Sequence, residues 1–115
     1  MNIVRQNPHK ILSDAVEYGN LVFLAGQVAT DLSQDINGQT RQVLKTIDEV
    51  LAKAGSNKSK ILSANIWLTD IRNRDGMNVE WLAWVDPANL PARATVEAKL
   101  ADPKMLVEIA VIAAK

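Results

Sequence analysis

The chain has no cysteine and only one histidine among its 115 residues. Without cysteine it cannot form a disulfide, a thiolate zinc site, an iron–sulfur cluster or a cysteine nucleophile. His9 stands between Pro8 and Lys10, where a solvated loop residue is the simplest interpretation, and nothing nearby supports a Ser-His-Asp triad. The acidic residues lack the alternating spacing of a calcium loop, and no phosphate-binding, nucleophile-elbow or zinc-protease motif occurs. We therefore predict no metal site.

An excess of charge of either sign is also absent, because 13 basic residues balance 13 acidic ones. A formal net charge of zero argues against a nucleic-acid partner, which requires clustered lysine and arginine. The longest apolar runs, 21–25 and 105–114 with Glu108 inside it, are shorter than the roughly 18 residues of a membrane span. Residues 1–5 lack the charged start and apolar run that are typical of a signal peptide. We expect a single cytoplasmic domain over residues 1–115 that has no membrane partner.

Hydrophobic periodicity divides the first half of the chain into a hairpin, a helix and a strand. Residues 13–18 and 21–28 are β-prone and are joined by Gly19-Asn20, a pair suited to the positive φ angles of a tight turn. A stripe at spacings of three and four predicts a helix from Asp35 to a glycine C-cap at Gly55. The stripe comprises Ile36, Val43, Leu44, Ile47, Val50, Leu51 and Ala54. A strand over residues 61–68 follows the helix.

The second half of the chain predicts a second helix and two more strands. The helix begins near Asn73 or Asp75, either of which can cap it, and Pro87 ends it. Its buried stripe consists of Met77, Trp81, Trp84 and Val85. That spacing favours core packing over a base-stacking platform for these tryptophans and leaves Trp67 open. Strands over residues 93–99 and 106–114 are separated by a turn at Asp102-Pro103.

This element order predicts an α+β fold with one mixed sheet and both helices on a single face. The last strand has apolar residues on both faces: Val107, Ile109, Val111 and Ala113 alternate with Leu106, Ala110 and Ile112. The face without helices therefore needs a cover. Self-association with closed symmetry is the simplest partner for such a surface.

The segment from Leu90 to Glu97 carries the main chemical signal. Pro91 favours extended backbone, which places Arg93 at the start of a strand near the sheet edge. Arginine suits bidentate capture of a carboxylate. The alternative is an Arg93 that pairs with an acidic neighbour or points into water, and the segment alone does not exclude it.

Residues 91–97, Pro-Ala-Arg-Ala-Thr-Val-Glu, and residues 107–114, Val-Glu-Ile-Ala-Val-Ile-Ala-Ala, resemble the C-terminal signature of the YjgF-like reactive-intermediate deaminase (Rid) family. The resemblance extends over nearly the whole chain through Gly19-Asn20, Ala25-Gly26-Gln27, the helix from Gln39 to Gly55, and Asn78. Residues 55–59, with Met77-Asn78 and Trp84-Val85, are most similar to a bacterial YoaB-like branch.

The resemblance implies a chorismate-mutase-like fold and a homotrimer whose sheets form a central barrel with the helices outside. It implies ligand clefts between subunits and cofactor-independent hydrolysis of imines and enamines to 2-oxo acids and ammonia. Arg93 would bind the carboxylate of the substrate. The backbone around Thr95 and Gly26 would line the cleft.

Three polar positions of the family's deaminases are replaced here. Ala110 stands where a glutamate positions the attacking water, Ala25 replaces a serine, and Leu12 replaces a tyrosine. Glu108 lies two residues from Ala110 on the same strand face and is a candidate substitute, although roughly 6.6 Å separates the two Cα atoms. The function therefore stays open between a deaminase and a non-catalytic module that binds carboxylate metabolites. A ribonuclease or translation inhibitor, as among some relatives, finds little support in the charge.

Overall fold

A computed structural model describes residues 1–115 and contains six strands and two α-helices. The strands are β1 (Ile3–Gln6), β2 (Ala15–Tyr18), β3 (Leu21–Leu24), β4 (Ile61–Leu68), β5 (Ala92–Glu97) and β6 (Val107–Ala114). The helices are α1 (Ile36–Lys53) and α2 (Arg74–Trp84), and single 3₁₀ turns precede β4 and α2. The sequence predicted all of these strands and helices except β1.

The strands form one mixed sheet in the order β1-β2-β3-β6-β4-β5. All neighbours are antiparallel except β4 and β5, which are parallel and are connected through α2. The hairpin of β2 and β3 confirms the predicted turn, although only Gly19 adopts a positive φ, of 59°. β5 lies at one edge of the sheet and β1 at the other, so the backbone of each has one unpaired side.

Helix α1 has the caps that its sequence predicts. The Asp35 carboxylate accepts a hydrogen bond from the Gly38 N–H at 2.8 Å, which satisfies one of the free donors of the first turn. At the other end Gly55 has a φ of 76°, and the N–H groups of Gly55 and Ser56 bond to Ala52 and Leu51. This Schellman arrangement ends the helix and directs the chain into β4.

Helix α2 begins at Arg74, directly after a 3₁₀ turn over Ile71–Asn73. Asn73 occupies the N-cap position but makes no side-chain capping bond, whereas Asp70 caps the preceding turn by accepting from the Arg72 N–H. The predicted stripe is confirmed: Met77, Trp81 and Val85 are buried and Trp84 is partly buried.

Both helices cover the same face of the sheet, as predicted. On β6 the buried residues Val107, Ile109, Val111 and Ala113 alternate with partly exposed ones. The buried set joins the apolar stripes of α1 and α2 in one core of 20 residues. This core positions β5 and the first half of β6, where the candidate site residues lie.

The opposite face, here called the open face, is largely apolar and has no cover within the chain. Strand register places Val16, Phe23 and Ile112 in one row across β2, β3 and β6. A second row joins Trp67 of β4 and Val96 of β5. Neither α-helix is both long and apolar enough to cross a membrane.

Candidate functional site

Arg93 lies on edge strand β5, opposite Ala64 of β4, on the face that the helices cover. Its guanidinium contributes to a cavity of about 320 Å³ between the C-terminal half of α2 and the loop that leads into β5. The cavity is lined by Asn78, Trp81, Leu82, Leu90, Pro91 and Arg93. The extended backbone after Pro91 brings the side chain to this position, as the sequence predicted.

The guanidinium of Arg93 has two partners, and neither is an acid. Nη1 donates a hydrogen bond to Asn78 Oδ1 at 2.7 Å, and the guanidinium carbon lies 5.2 Å from the centre of the Trp81 ring. Arg93 belongs to none of the ion pairs of the structure. Burial lowers the pKa of Arg93, and the positive charge of Arg74 adds to this shift.

The simpler interpretation of Arg93 fails in one respect, because no acidic side chain pairs with it. Its side chain is partly buried, held by an amide oxygen and an aromatic ring, and left without a counter-charge. A partly buried guanidinium with free donors is a suitable binding group for an anion, because a carboxylate can accept two N–H bonds from its planar fork.

Thr95 lies two residues beyond Arg93 on the same face of β5 and opposite Ile66. Its hydroxyl oxygen is buried and has no hydrogen-bond partner in the chain. Buried polar atoms are nearly always paired, so an unpartnered hydroxyl next to Arg93 is an exception of the kind that occurs at ligand or subunit contacts. Arg93 and Thr95 are here called the arginine group.

The other predicted site residues lie on and beside the open face, near the start of β6. Gln27 forms a two-bond bridge with Ile109, which holds the exposed Gly26 next to this strand. Ala110 points to the open face opposite Asn65 of β4. Ala25 donates its N–H to the Asp14 carbonyl, and Leu12 is exposed in the loop two residues before Asp14.

Glu108 occupies the space above Gly26. A methyl group added at Gly26 would lie 2.8 Å from Glu108 Cδ and 3.1 Å from Cγ, so the absence of a side chain at Gly26 makes room for this carboxylate. Glu108 is partly exposed and takes part in no side-chain ion pair. Glu108, Gly26, Ala25, Ala110 and Leu12 are here called the glutamate group.

A single chain does not bring the two groups together. Arg93 faces the helices, whereas Ala110 faces away from them, and β4 separates β5 from β6 by about 10 Å in total. No group of three histidine or acidic side chains is placed to hold a metal ion.

Two contributors to the arginine group were not predicted as site residues. Asn78 and Trp81 lie three residues apart on α2 and therefore project from neighbouring positions on one helix face. The helical spacing of Trp81 predicts a core residue, and at 5% exposure it is one. Its ring also supports the guanidinium. The available signal was the pattern Asn-x-x-Trp on α2, which ends 12 residues before Arg93.

The fold and the site define an α+β domain with one helix-covered sheet face and an uncompensated arginine at the sheet edge. The family model described as Endoribonuclease L-PSP matches residues 3–115, so the chain belongs to that family. A RutC family protein of Haemophilus influenzae is 48% identical over 114 residues, which cover 98% of each chain. The RutC family protein YoaB of Escherichia coli is 44% identical over 114 residues and 99% of each chain.

Solved structures agree with this assignment. NMB1025 of Neisseria meningitidis, a member of the YjgF protein family, superimposes with a TM-score of 0.97 at 41% identity and covers 100% of this chain and 96% of its own. The predicted YjgF-like family, its YoaB-like branch and the fold class are thereby confirmed.

Proposed function

We propose that this protein binds small carboxylate metabolites, imines or enamines and the corresponding 2-oxo acids, through Arg93 in clefts between the subunits of a homotrimer. We further propose that it hydrolyses the imines without a cofactor. Arg93 would hold the carboxylate, Thr95 and Gly26 would line the cleft, and Ala25, Leu12 and Ala110 would face the ligand from the neighbouring subunit.

The observation that carries the proposal is the guanidinium of Arg93. It has only Asn78 and Trp81 as partners and no carboxylate, although burial disfavours an unpaired charge. A bound carboxylate would supply the missing counter-charge. No acidic side chain of the chain lines the cavity and could serve in its place.

A homotrimer is proposed from the resemblance to the family, and two features of the fold support it. The open face is apolar and uncovered, which favours a protein partner. The arginine group and the glutamate group lie on opposite faces of one sheet, so a shared cleft needs a second chain. Light scattering at micromolar concentration should give about three times the 12.6 kDa of one chain. A monomer would contradict this part of the proposal.

Imine hydrolysis needs little more than a positioned water. The water oxygen adds to the carbon of the C=N bond while one proton of the water passes to nitrogen. The second proton then passes from the new hydroxyl to nitrogen as the C=O bond forms and the C–N bond breaks, which releases ammonia and a 2-oxo acid. Ala110 cannot orient the water, because a methyl group accepts no hydrogen bond. Glu108 lies against Gly26 at the same end of β6, and we propose that its carboxylate takes over this role.

A non-catalytic binding protein is the second candidate, and Ala110 is the observation that favours it. The arginine group alone suffices for binding, whereas catalysis also requires the carboxylate of Glu108. The two candidate functions therefore differ in whether the Glu108 carboxylate acts in catalysis. Variants at positions 108 and 110 can separate them.

The test generates 2-iminopropanoate with an amino-acid oxidase and follows its hydrolysis with and without the protein. Arg93→Ala should remove the acceleration, and Arg93→Lys should restore little of it, because lysine lacks the planar fork. Arg5→Ala is the matched control, since Arg5 lies on β1 at the opposite edge of the sheet. Glu108→Gln should abolish hydrolysis but retain binding, and Ala110→Glu should increase the rate.

Calorimetry with 2-oxobutanoate separates binding from catalysis. Arg93→Ala should weaken binding by about 30-fold or more, as expected when one side of a partly buried charge pair is removed. Binding without acceleration would select the non-catalytic candidate. Failure of the wild-type protein to bind 2-oxobutanoate or to accelerate hydrolysis would refute the proposal.

Ribonuclease activity, which the family description names, is not proposed for this chain. Its formal net charge is zero, and an extended grip on a phosphate backbone requires clustered cations.

A further inference from the structure

We infer that the site around Arg93 selects carboxylates that carry an apolar side chain. The inference rests on the proposed function, because Arg93 must first hold the carboxylate. It adds a substrate preference that is specific to the residues of this chain.

The wall of the Arg93 cavity is apolar apart from two polar residues. Asn78 and Arg93 are those two, and they are bonded to each other. The remaining lining consists of Trp81, Leu82, Leu90 and Pro91. A carboxylate on the free donors of Arg93 would therefore have hydrocarbon beside it, and the rest of the ligand would contact that wall.

Two leucines of this wall are unusually exposed. Leu82 is 73% exposed on α2, and Leu90 is 65% exposed in the loop before β5. They come from separate elements and meet at the same cavity as the guanidinium. Exposed leucines beside an unpaired cation match a ligand with one charged end and one apolar end.

The size and charge of the cavity limit the choice of ligand. One chain contributes a cavity of about 320 Å³ to the proposed cleft, which provides room for a short acid. No acidic residue lines the cavity, so an amino group on the side chain of the ligand would find no partner. The competing ligand is a dicarboxylate, since Arg74 lies one helical turn before Asn78 and is not paired with an acid.

The test is calorimetry with the full-length protein and four stable acids: pyruvate, 2-oxobutanoate, 2-oxopentanoate and 2-oxoglutarate. Affinity should rise about two- to fourfold with each methylene from pyruvate to 2-oxopentanoate, as expected when the added group leaves water. 2-Oxoglutarate should bind more weakly than 2-oxopentanoate, because its second carboxylate would have to lie against leucine.

Leu82→Ala and Leu90→Ala test the wall directly. Each should flatten the rise in affinity with chain length and leave pyruvate binding unchanged. Val79→Ala is the matched control, because Val79 is an exposed apolar residue of the same helix that does not line the cavity. The control should retain the full rise in affinity with chain length. All variants should form the same assembly as the wild type, as judged by light scattering.

Equal affinity across the three monocarboxylates, with binding still dependent on Arg93, would overturn this inference and leave the proposed function intact. Tighter binding of 2-oxoglutarate would overturn it in favour of a site shared by Arg74 and Arg93. Loss of binding of every acid in the wild type would refute the proposed function itself. If the leucine variants weaken all acids equally, the wall does not select side chains and the inference is wrong.

Discussion

Replacement of Gly26 by alanine tests the position of Glu108, on which the catalytic part of the proposal depends. The new methyl carbon would lie 2.8 Å from Glu108 Cδ and 3.1 Å from Cγ, whereas carbon atoms pack at about 3.5–4.0 Å. The Glu108 side chain must therefore move. Because it is partly exposed and flexible, it can change its torsion angles at a cost of about 0.5–1.5 kcal/mol.

A second effect acts in the opposite direction. Gly26 is not among the glycines with a positive φ, so alanine can adopt its backbone conformation. Such a replacement stabilises a protein by about 0.4–1 kcal/mol by restricting the unfolded chain. In the wild-type background the two effects nearly cancel. In a Glu108→Ala background the new methyl group no longer meets the carboxylate. Gly26→Ala should then stabilise the fold by the full amount of about 0.4–1 kcal/mol.

A double-mutant cycle measures the difference by urea unfolding at one protein concentration. We expect a coupling of about 0.5–1.5 kcal/mol between positions 26 and 108, larger than the 0.3–0.5 kcal/mol error of additivity. Glu108→Gln is the control, since glutamine keeps the shape of the side chain and should preserve the coupling. Equal effects of Gly26→Ala in the wild-type and Glu108→Ala backgrounds would show that the carboxylate does not lie over Gly26.

Two further predictions concern buried polar groups. Thr95→Val should raise the free energy of unfolding in urea by about 1 kcal/mol, because the lost hydroxyl is buried without a partner; a decrease would show that this hydroxyl is paired in the assembled protein. The hydrogen bonds from Lys115 and then Gln6 lower the pKa of Glu17 below 4.5, so its contribution to stability is present above about pH 4.5 and is lost as the pH falls through the folded-state value. Glu17→Gln should therefore cost about 1–3 kcal/mol at pH 7 and progressively less below pH 4.5 in thermal unfolding; a difference that is constant with pH would contradict this.

The elements that were predicted correctly are those with a strong local pattern. β4 has the predicted bounds of residues 61–68, and α1 follows its apolar stripe from the Asp35 cap to Gly55. β1 was missed because its four residues, Ile-Val-Arg-Gln, have no alternation and only backbone pairing with β2 defines them as a strand.

The candidate site was predicted only in part. The sequence singled out Arg93 because its residue type and the preceding proline suit an anion site at a sheet edge. Its environment depends on Asn78 and Trp81, which the path of the chain through α2 and β5 brings to the guanidinium. Residue spacing carries no information on such a contact.

Local sequence patterns specify the helices, most strands and the two-sided apolar character of β6, and residue chemistry marks Arg93 as a candidate for anion binding. These properties follow from hydrophobic period, caps and residue chemistry, which act over a few neighbouring positions. Three further facts come from the three-dimensional fold: Arg93 lacks a counter-charge, Glu108 lies over Gly26, and the two groups occupy opposite faces of the sheet. Those facts depend on strand order and on packing between distant segments, such as Gly26 and Glu108, which lie 82 positions apart, and no local pattern records them.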